Sequence, residues 1–184
     1  MQKTFLILFI GLFSSVGCAH YQSGIGSFRG PGEMSRSPSS SNSVYYSPRN
    51  IGDFSLTWPV EDVSISQPFK PRRNRSHQGL DLRGPKNTPI VAAHPGRVIY
   101  VGRGFRGYGK MVMIEYNNRW ASLYAHLNSF EVKQGQYVRM GDVIGRMGRT
   151  GRATGVHLHF ELLKNKLPVN PMSYLPDLSR MAKR

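Results

Sequence analysis

Acidic side chains are scarce in this chain: 10 Asp and Glu stand against 25 Lys and Arg over 184 residues, a formal charge of +15. An imbalance of that size implies an anionic neighbour, whether nucleic acid, a membrane surface or an acidic polymer. Cysteine is scarcer still, with Cys18 alone. No disulfide can close within the chain, and metal sites built on several thiolates are excluded. The most apolar stretch, Phe5 to Phe13, is too short to cross about 30 Å of hydrocarbon comfortably. Heptads, internal repeats and long amphipathic helical patterns are missing too, which argues against coiled coils, solenoids and helical bundles.

The N-terminus, MQKTFLILFIGLFSSVGC, has the layout of an export signal over residues 1–17: a basic start, an apolar centre and small residues at the end. An uncleaved membrane anchor is the other reading. Ser15 to Cys18 resembles a bacterial lipobox, in which the chain is cut before Cys and that residue is lipidated; plain cleavage nearby would instead leave a soluble periplasmic protein. Ala19 stands where inner-membrane lipoproteins carry aspartate, so a lipid anchor at Cys18 implies the outer membrane. Residues 18–54 are dominated by Ser, Gly, Pro, Asn and Arg. Such a stretch buries too little apolar area to offset its ordering entropy and reads as a flexible tether.

From residue 55 to 176 the pattern changes. RVIYVG, KMVMIEY, VRMGDVIGRMG and GVHLHFEL are short β-rich runs divided by glycine turns, as in an all-β domain. Residues 177–184 form a short basic tail. In HLHFEL the alternation of a strand sends His157, His159 and Glu161 to one face and Leu158, Phe160 and Leu162 to the other. The apolar set faces a core, so the histidine set faces a groove. In SHQGLDLRG, His77 and Asp81 would lie about 13 Å apart on a straight strand, too far to share an ion. The backbone must therefore bend, and Gly79 between them permits it. Two imidazoles and one carboxylate would make the three-ligand, one-open-position set of catalytic zinc. In SLYAHLNS, alternation puts Ser122, Tyr124 and His126 together on a polar face. Glu161 reads either as a carboxylate orienting a strand histidine or as a solvated surface residue. His94, before a Pro-Gly pair, reads as a local turn residue.

Together, HxGxD, YAHL and HLHFE in that order, with NTPIVAAHPGRVIYVG, GYGKMVMIEY and GQYVRMGDVIGRMGRTGRATGVHLHFEL between them, resemble the zinc metallopeptidase family that includes LytM and lysostaphin, the M23 peptidases. The resemblance runs from about Trp58 to Pro176. It implies a two-layered antiparallel β sandwich with an open substrate groove. It also implies zinc held by His77, Asp81 and His159, with His126 and His157 as catalytic histidines. Similar domains that have lost ligands activate cell-wall amidases instead, and all five positions are intact here. The implied function is hydrolysis of peptide bonds in peptidoglycan, with a non-hydrolytic wall-binding regulator as the alternative. Peptidoglycan, whose stem peptides carry free carboxylates, also answers the positive charge, and no helix-turn-helix or RNP motif points to nucleic acid. Arg149, Thr150 and Arg152 fall in a loop resembling one that borders the family's groove, open to substrate carboxylates or simply a solvated turn.

Overall fold

The computed structural model describes residues 49–51, 54–70 and 77–178. The expected export signal, Cys18 and most of the expected tether lie outside these residues. In chain order the strands are β1 Arg49–Ile51, β2 Phe54–Leu56, β3 Ser64–Gln67, β4 Leu80–Arg83, β5 Pro89–Val91, β6 Gly96–Gly102, β7 Met111–Tyr116, β8 Trp120–Ala125, β9 Ser129–Phe130, β10 Tyr137–Val138, β11 Val143–Arg146, β12 His157–Lys164 and β13 Leu167–Val169. A 3-10 turn follows at Pro171–Ser173. No α-helix occurs among the described residues, and the strand pairings are antiparallel, as the glycine-punctuated runs require.

The main sheet runs β10-β6-β7-β8-β12-β4-β3, with β13 added beside β12, and a second sheet runs β5-β11-β9. Alternation explains why they stack. On the main sheet Leu80, Leu82, Val112, Ile114, Tyr124, Leu158, Phe160 and Leu162 all point to one side and form one cluster with Ile90 and Ile144 of the second sheet. All are fully buried, and each large aliphatic or aromatic side chain so removed from water contributes about 1.5–3 kcal/mol before entropy is counted. The opposite face of the main sheet is half apolar, with Met111, Met113, Leu123 and Leu163 in a second cluster. Its other half carries Asp81, His157, His159 and Glu161. That polar half is the floor of a groove.

The domain starts earlier than composition suggests. The end of the expected tether pairs as strand, Arg49 with Leu56 and Ile51 with Phe54. Phe54 is buried and stacked on Trp120, ring centroids 4.3 Å apart and nearly coplanar. A Ser- and Asn-rich approach hid one aromatic anchor. At the other end Trp58 donates its indole N–H to the carbonyl of Pro176 at 3.1 Å, and Leu178, in the expected tail, packs on the core. Both ends of the domain therefore gather near Trp120, the start of β8. His126 follows the far end of that strand, roughly 20 Å away at the usual rise.

His94 lies in the bend before Pro95, as expected, but its side chain belongs to the core. It is fully buried, between the rings of Phe54 and Tyr116. Burial pulls its pKa down to about 4 against the hydrogen bond from Nδ1 to the Pro95 carbonyl, so it is a neutral core side chain at pH 7.

Candidate metal centre and catalytic groove

Three segments bring the groove's polar groups together. β12 pairs with β4 so that His159 lies opposite Asp81 and His157 opposite Arg83, which places His159 and Asp81 side by side on the groove face. His77 arrives from outside β4. It is tied to Lys70 by two backbone hydrogen bonds, and the chain then bends at Gly79 before entering the strand. A β-carbon on Gly79 would collide with the Phe160 carbonyl. Glycine is therefore needed here for close approach of two backbones, the more so because its φ is not left-handed.

The result is a triad of donor atoms. Asp81 Oδ1 lies 2.8 Å from His159 Nδ1 and 3.0 Å from His77 Nε2, and the two nitrogens are 3.2 Å apart. Ligands sharing one tetrahedral zinc at 2.0–2.2 Å would sit about 3.3–3.5 Å from each other, so the spacing fits with a slight expansion. The tautomers fit as well. His77 Nδ1 hydrogen-bonds the Pro68 carbonyl at 2.9 Å, and His159 Nε2 hydrogen-bonds Glu161 Oε1 at 2.9 Å. Both acceptors take the N–H of the outer nitrogen, which leaves the inner one as a lone pair. Two lone pairs and a carboxylate facing each other demand a positive charge between them.

The electrostatics say the same. Burial alone would lower His159, but the carboxylates of Asp81 and Glu161 on its two nitrogens hold its pKa at about 9. Burial alone would raise Asp81, yet the hydrogen bond and charge of His159, with the charges of His77 and His157, pull it below its ordinary value. The same carboxylates would attract a metal cation, which on binding would displace the proton from the inner nitrogen of His159.

Glu161 resolves in favour of the orienting reading. It is 3% exposed, and its Oε1 accepts from both His159 and the Tyr108 hydroxyl, each at 2.9 Å. Burial, then the charge and hydrogen bond of Glu161, push the Tyr108 phenol well above its ordinary pKa, so it remains a donor. Tyr108 was missed as a site residue in the sequence. The available signal was an aromatic between two glycines, Gly107 and Gly109, both of which adopt left-handed backbone here, φ 98° and 67°.

His126 reaches the groove by a different route from the one alternation predicts. Ser122 and Tyr124 do not share its face: they point into the core, fully buried, the Ser122 hydroxyl donating to the Tyr124 hydroxyl at 2.9 Å. Leu123 and Ala125 face the groove side. After β8 ends, His126 takes a left-handed φ of 61°, which breaks the strand's parity and turns the ring to within 4.7 Å of His157, centroid to centroid. That costly conformation for a non-glycine residue is held by its surroundings. Its N–H donates to the Tyr108 carbonyl, and its Nδ1 hydrogen-bonds the Thr150 carbonyl at 2.7 Å. Thr150 in turn accepts the Lys110 N–H on its hydroxyl and donates that hydroxyl to Leu127. It is a bracket for His126, not a free turn residue. Burial lowers the pKa of His126 to about 4, against the pull of the Thr150 carbonyl. His157 is oriented likewise, Nδ1 on the Gly155 carbonyl at 3.0 Å and Nε2 3.8 Å from Asp81 Oδ2.

The groove so formed has a volume of about 650 Å3 and includes His77, Asp81, His126, His157 and His159 in its lining. Residues 75–171 match the family model for Peptidase family M23. The chain belongs to peptidase family M23. Among this M23 chain's relatives, the DD-carboxypeptidase/endopeptidase Mpg of Neisseria meningitidis serogroup B is 42% identical over 141 residues, covering 72% of this chain and 32% of that protein. The murein hydrolase activator NlpD of Escherichia coli K12 is 38% identical over 120 residues, covering 65% and 31%. A zinc containing peptidase from Vibrio cholerae superposes with a TM-score of 0.61 at 36% identity, covering 65% of this chain and 40% of that one. The M23 chain thus spans about a third of the length of the two curated relatives it matches.

Proposed function

We propose that this groove is the active site of a zinc-dependent endopeptidase that hydrolyses peptide bonds in peptidoglycan stems or cross-links. The observation that carries the reading is the convergence of the Asp81 carboxylate with four imidazoles, each held from behind on its outer nitrogen by Pro68, Glu161, Thr150 or Gly155, so that the inner nitrogen faces the groove. His77, Asp81 and His159 would hold the zinc. The ion would supply Lewis acidity toward the peptide carbonyl and the attacking water. His126 and His157 stand beside that set with Nε2 free to accept a proton from water. The imidazolium so formed has an N–H to donate to the carbonyl oxygen as it gains charge, or to the departing nitrogen. His126, neutral at pH 7, starts in the accepting form. Tyr108 and Glu161 keep His159 in the required tautomer.

The alternative, a non-hydrolytic regulator of another wall hydrolase, is supported by similarity to a protein named as a murein hydrolase activator. Regulation by binding needs shape and charge but no inward lone pairs, so the intact site favours hydrolysis. Zinc-loaded protein incubated with purified sacculi should release soluble peptide fragments, identified by mass spectrometry, and chelation should stop the release until zinc is restored. Failure to cut several chemically distinct sacculi with the metal bound would overturn the enzymatic reading.

A cell-envelope location follows from such a substrate, and we place the anchor at Cys18, as a lipid group directed to the outer membrane. Cys18→Ala should move the protein from the membrane to the soluble periplasmic fraction. Unchanged partitioning would reject the lipid anchor.

A further inference from the structure

We infer that Arg106 and Arg152 form a carboxylate-reading subsite at the His126 end of the groove, which selects peptides carrying a free carboxylate near the bond to be cut. The inference rests on the endopeptidase reading and adds to it the group that the site recognises. Both arginines line the groove together with Gly107, Tyr108 and His126. They are neighbours across two loops. The Arg152 N–H donates to the Gly107 carbonyl at 2.9 Å, and a β-carbon placed on Gly107 would lie 3.9 Å from Arg152 Cδ. The Arg152 stem therefore runs over the residue next to Arg106.

Neither guanidinium has an acidic partner among the described residues. The groove's own carboxylates are committed elsewhere: Asp81 to His77 and His159, Glu161 to His159 and Tyr108. Both side chains are exposed on one rim of the groove, where two like charges add to a positive field that attracts an anion from outside. Guanidinium groups match carboxylate oxygens in pairs of parallel hydrogen bonds, which gives direction as well as charge. The loops that carry them are pre-set. Gly151 has a φ of 73° and no room for a β-carbon beside the Gly107 carbonyl, and Gly109 is as closely packed against Thr150. Little backbone entropy is left to lose when the anion arrives.

Two sources of carboxylate exist in a stem peptide, the terminal α-carboxylate and a side-chain carboxylate. Three synthetic stem peptides separate them: both groups free, the terminus amidated, and the side chain amidated. With zinc-loaded wild type, one of the two amides should lose about ten- to hundred-fold in kcat/KM, mainly through KM, as expected when a charge-assisted pair away from the reacting atoms is removed. In Arg106→Gln and Arg152→Gln the discrimination should shrink, and in the double variant it should vanish. Arg119→Gln, an exposed cation in the turn after β7, is the control for net charge and should behave as wild type. Equal rates on all three peptides in wild type, or equal losses on all three in the arginine variants, would overturn the subsite. Titration of the same proteins with the same peptides, followed by the NMR signals of the arginine Nε–H groups, reads binding without turnover. A zinc-loaded protein that cuts none of the peptides sinks the endopeptidase reading alone. The subsite then stands if the freely carboxylated peptide still binds more tightly than its amide through Arg106 and Arg152, and falls if it does not.

Discussion

Zinc-loaded His126→Ala and His157→Ala variants should each keep fold and metal while losing about 10²–10⁴-fold in kcat on peptidoglycan fragments, the contribution of one positioned acid or base. Neither ring belongs to the donor triad: His126 is bracketed by Thr150 and Tyr108, and His157 by Gly155. Their removal leaves the Asp81, His77 and His159 contacts intact. The His126 variant also releases a left-handed backbone that alanine tolerates poorly, so thermal melting must accompany the kinetics. His126→Asn, a residue that adopts left-handed φ more readily, separates loss of the ring from backbone strain. The paired measurement is zinc content and rate. A variant that holds one zinc per chain and still cuts at the wild-type rate would remove that histidine from the mechanism. Full complementation of a deletion strain by His157→Ala, together with inert wild-type protein in vitro, would favour the regulator.

His159→Ala should abolish tight zinc binding and activity together, since it removes the central donor of a three-ligand site. Glu161→Gln is the informative companion. Its carboxylate touches His159 on the nitrogen turned away from the triad, and partners of that kind are worth about 10–100-fold in metal affinity. Metal analysis after equilibrium dialysis should therefore rank wild type above Glu161→Gln above His159→Ala. The glutamine keeps a carbonyl oxygen able to accept from Nε2, so the tautomer survives while the charge is lost. Equal zinc in wild type and His159→Ala would reject the assignment of His77, Asp81 and His159 as the metal site.

Strand parity made the groove legible in part. His157, His159 and Glu161 share a face because successive side chains on any strand alternate, a local steric property that needs no knowledge of the neighbours. The pairing of HxGxD with HLHFE in one site, the bend between His77 and Asp81, and the family itself could likewise be reached from residue types and order. The same parity misled at SLYAHL. It grouped His126 with Ser122 and Tyr124, which the structure buries in the core. No local signal marks His126 as left-handed, because the cause is the Tyr108 and Thr150 carbonyls 18 and 24 residues away in the chain. The burial of His94 escaped the sequence for a related reason. A Pro-Gly pair predicts a turn, but whether the turn lies at the surface or against Phe54 depends on a hairpin that the linker-like composition concealed.

The amino-acid order alone settles which side chains can meet on one face of a strand and which chemistry that set allows, since alternation and ligand character belong to the residues themselves. Which nitrogen of each histidine is left as a lone pair belongs to no residue. It is decided by the acceptor behind the ring, Pro68 for His77, Glu161 for His159, Thr150 for His126 and Gly155 for His157. Two of those four acceptors lie within two residues of their histidine and two lie 9 and 24 residues away. The distant ones come into place only when the packed sheets and the loop at Thr150 carry them there, because a hydrogen bond's direction is set by where two backbones end up in space.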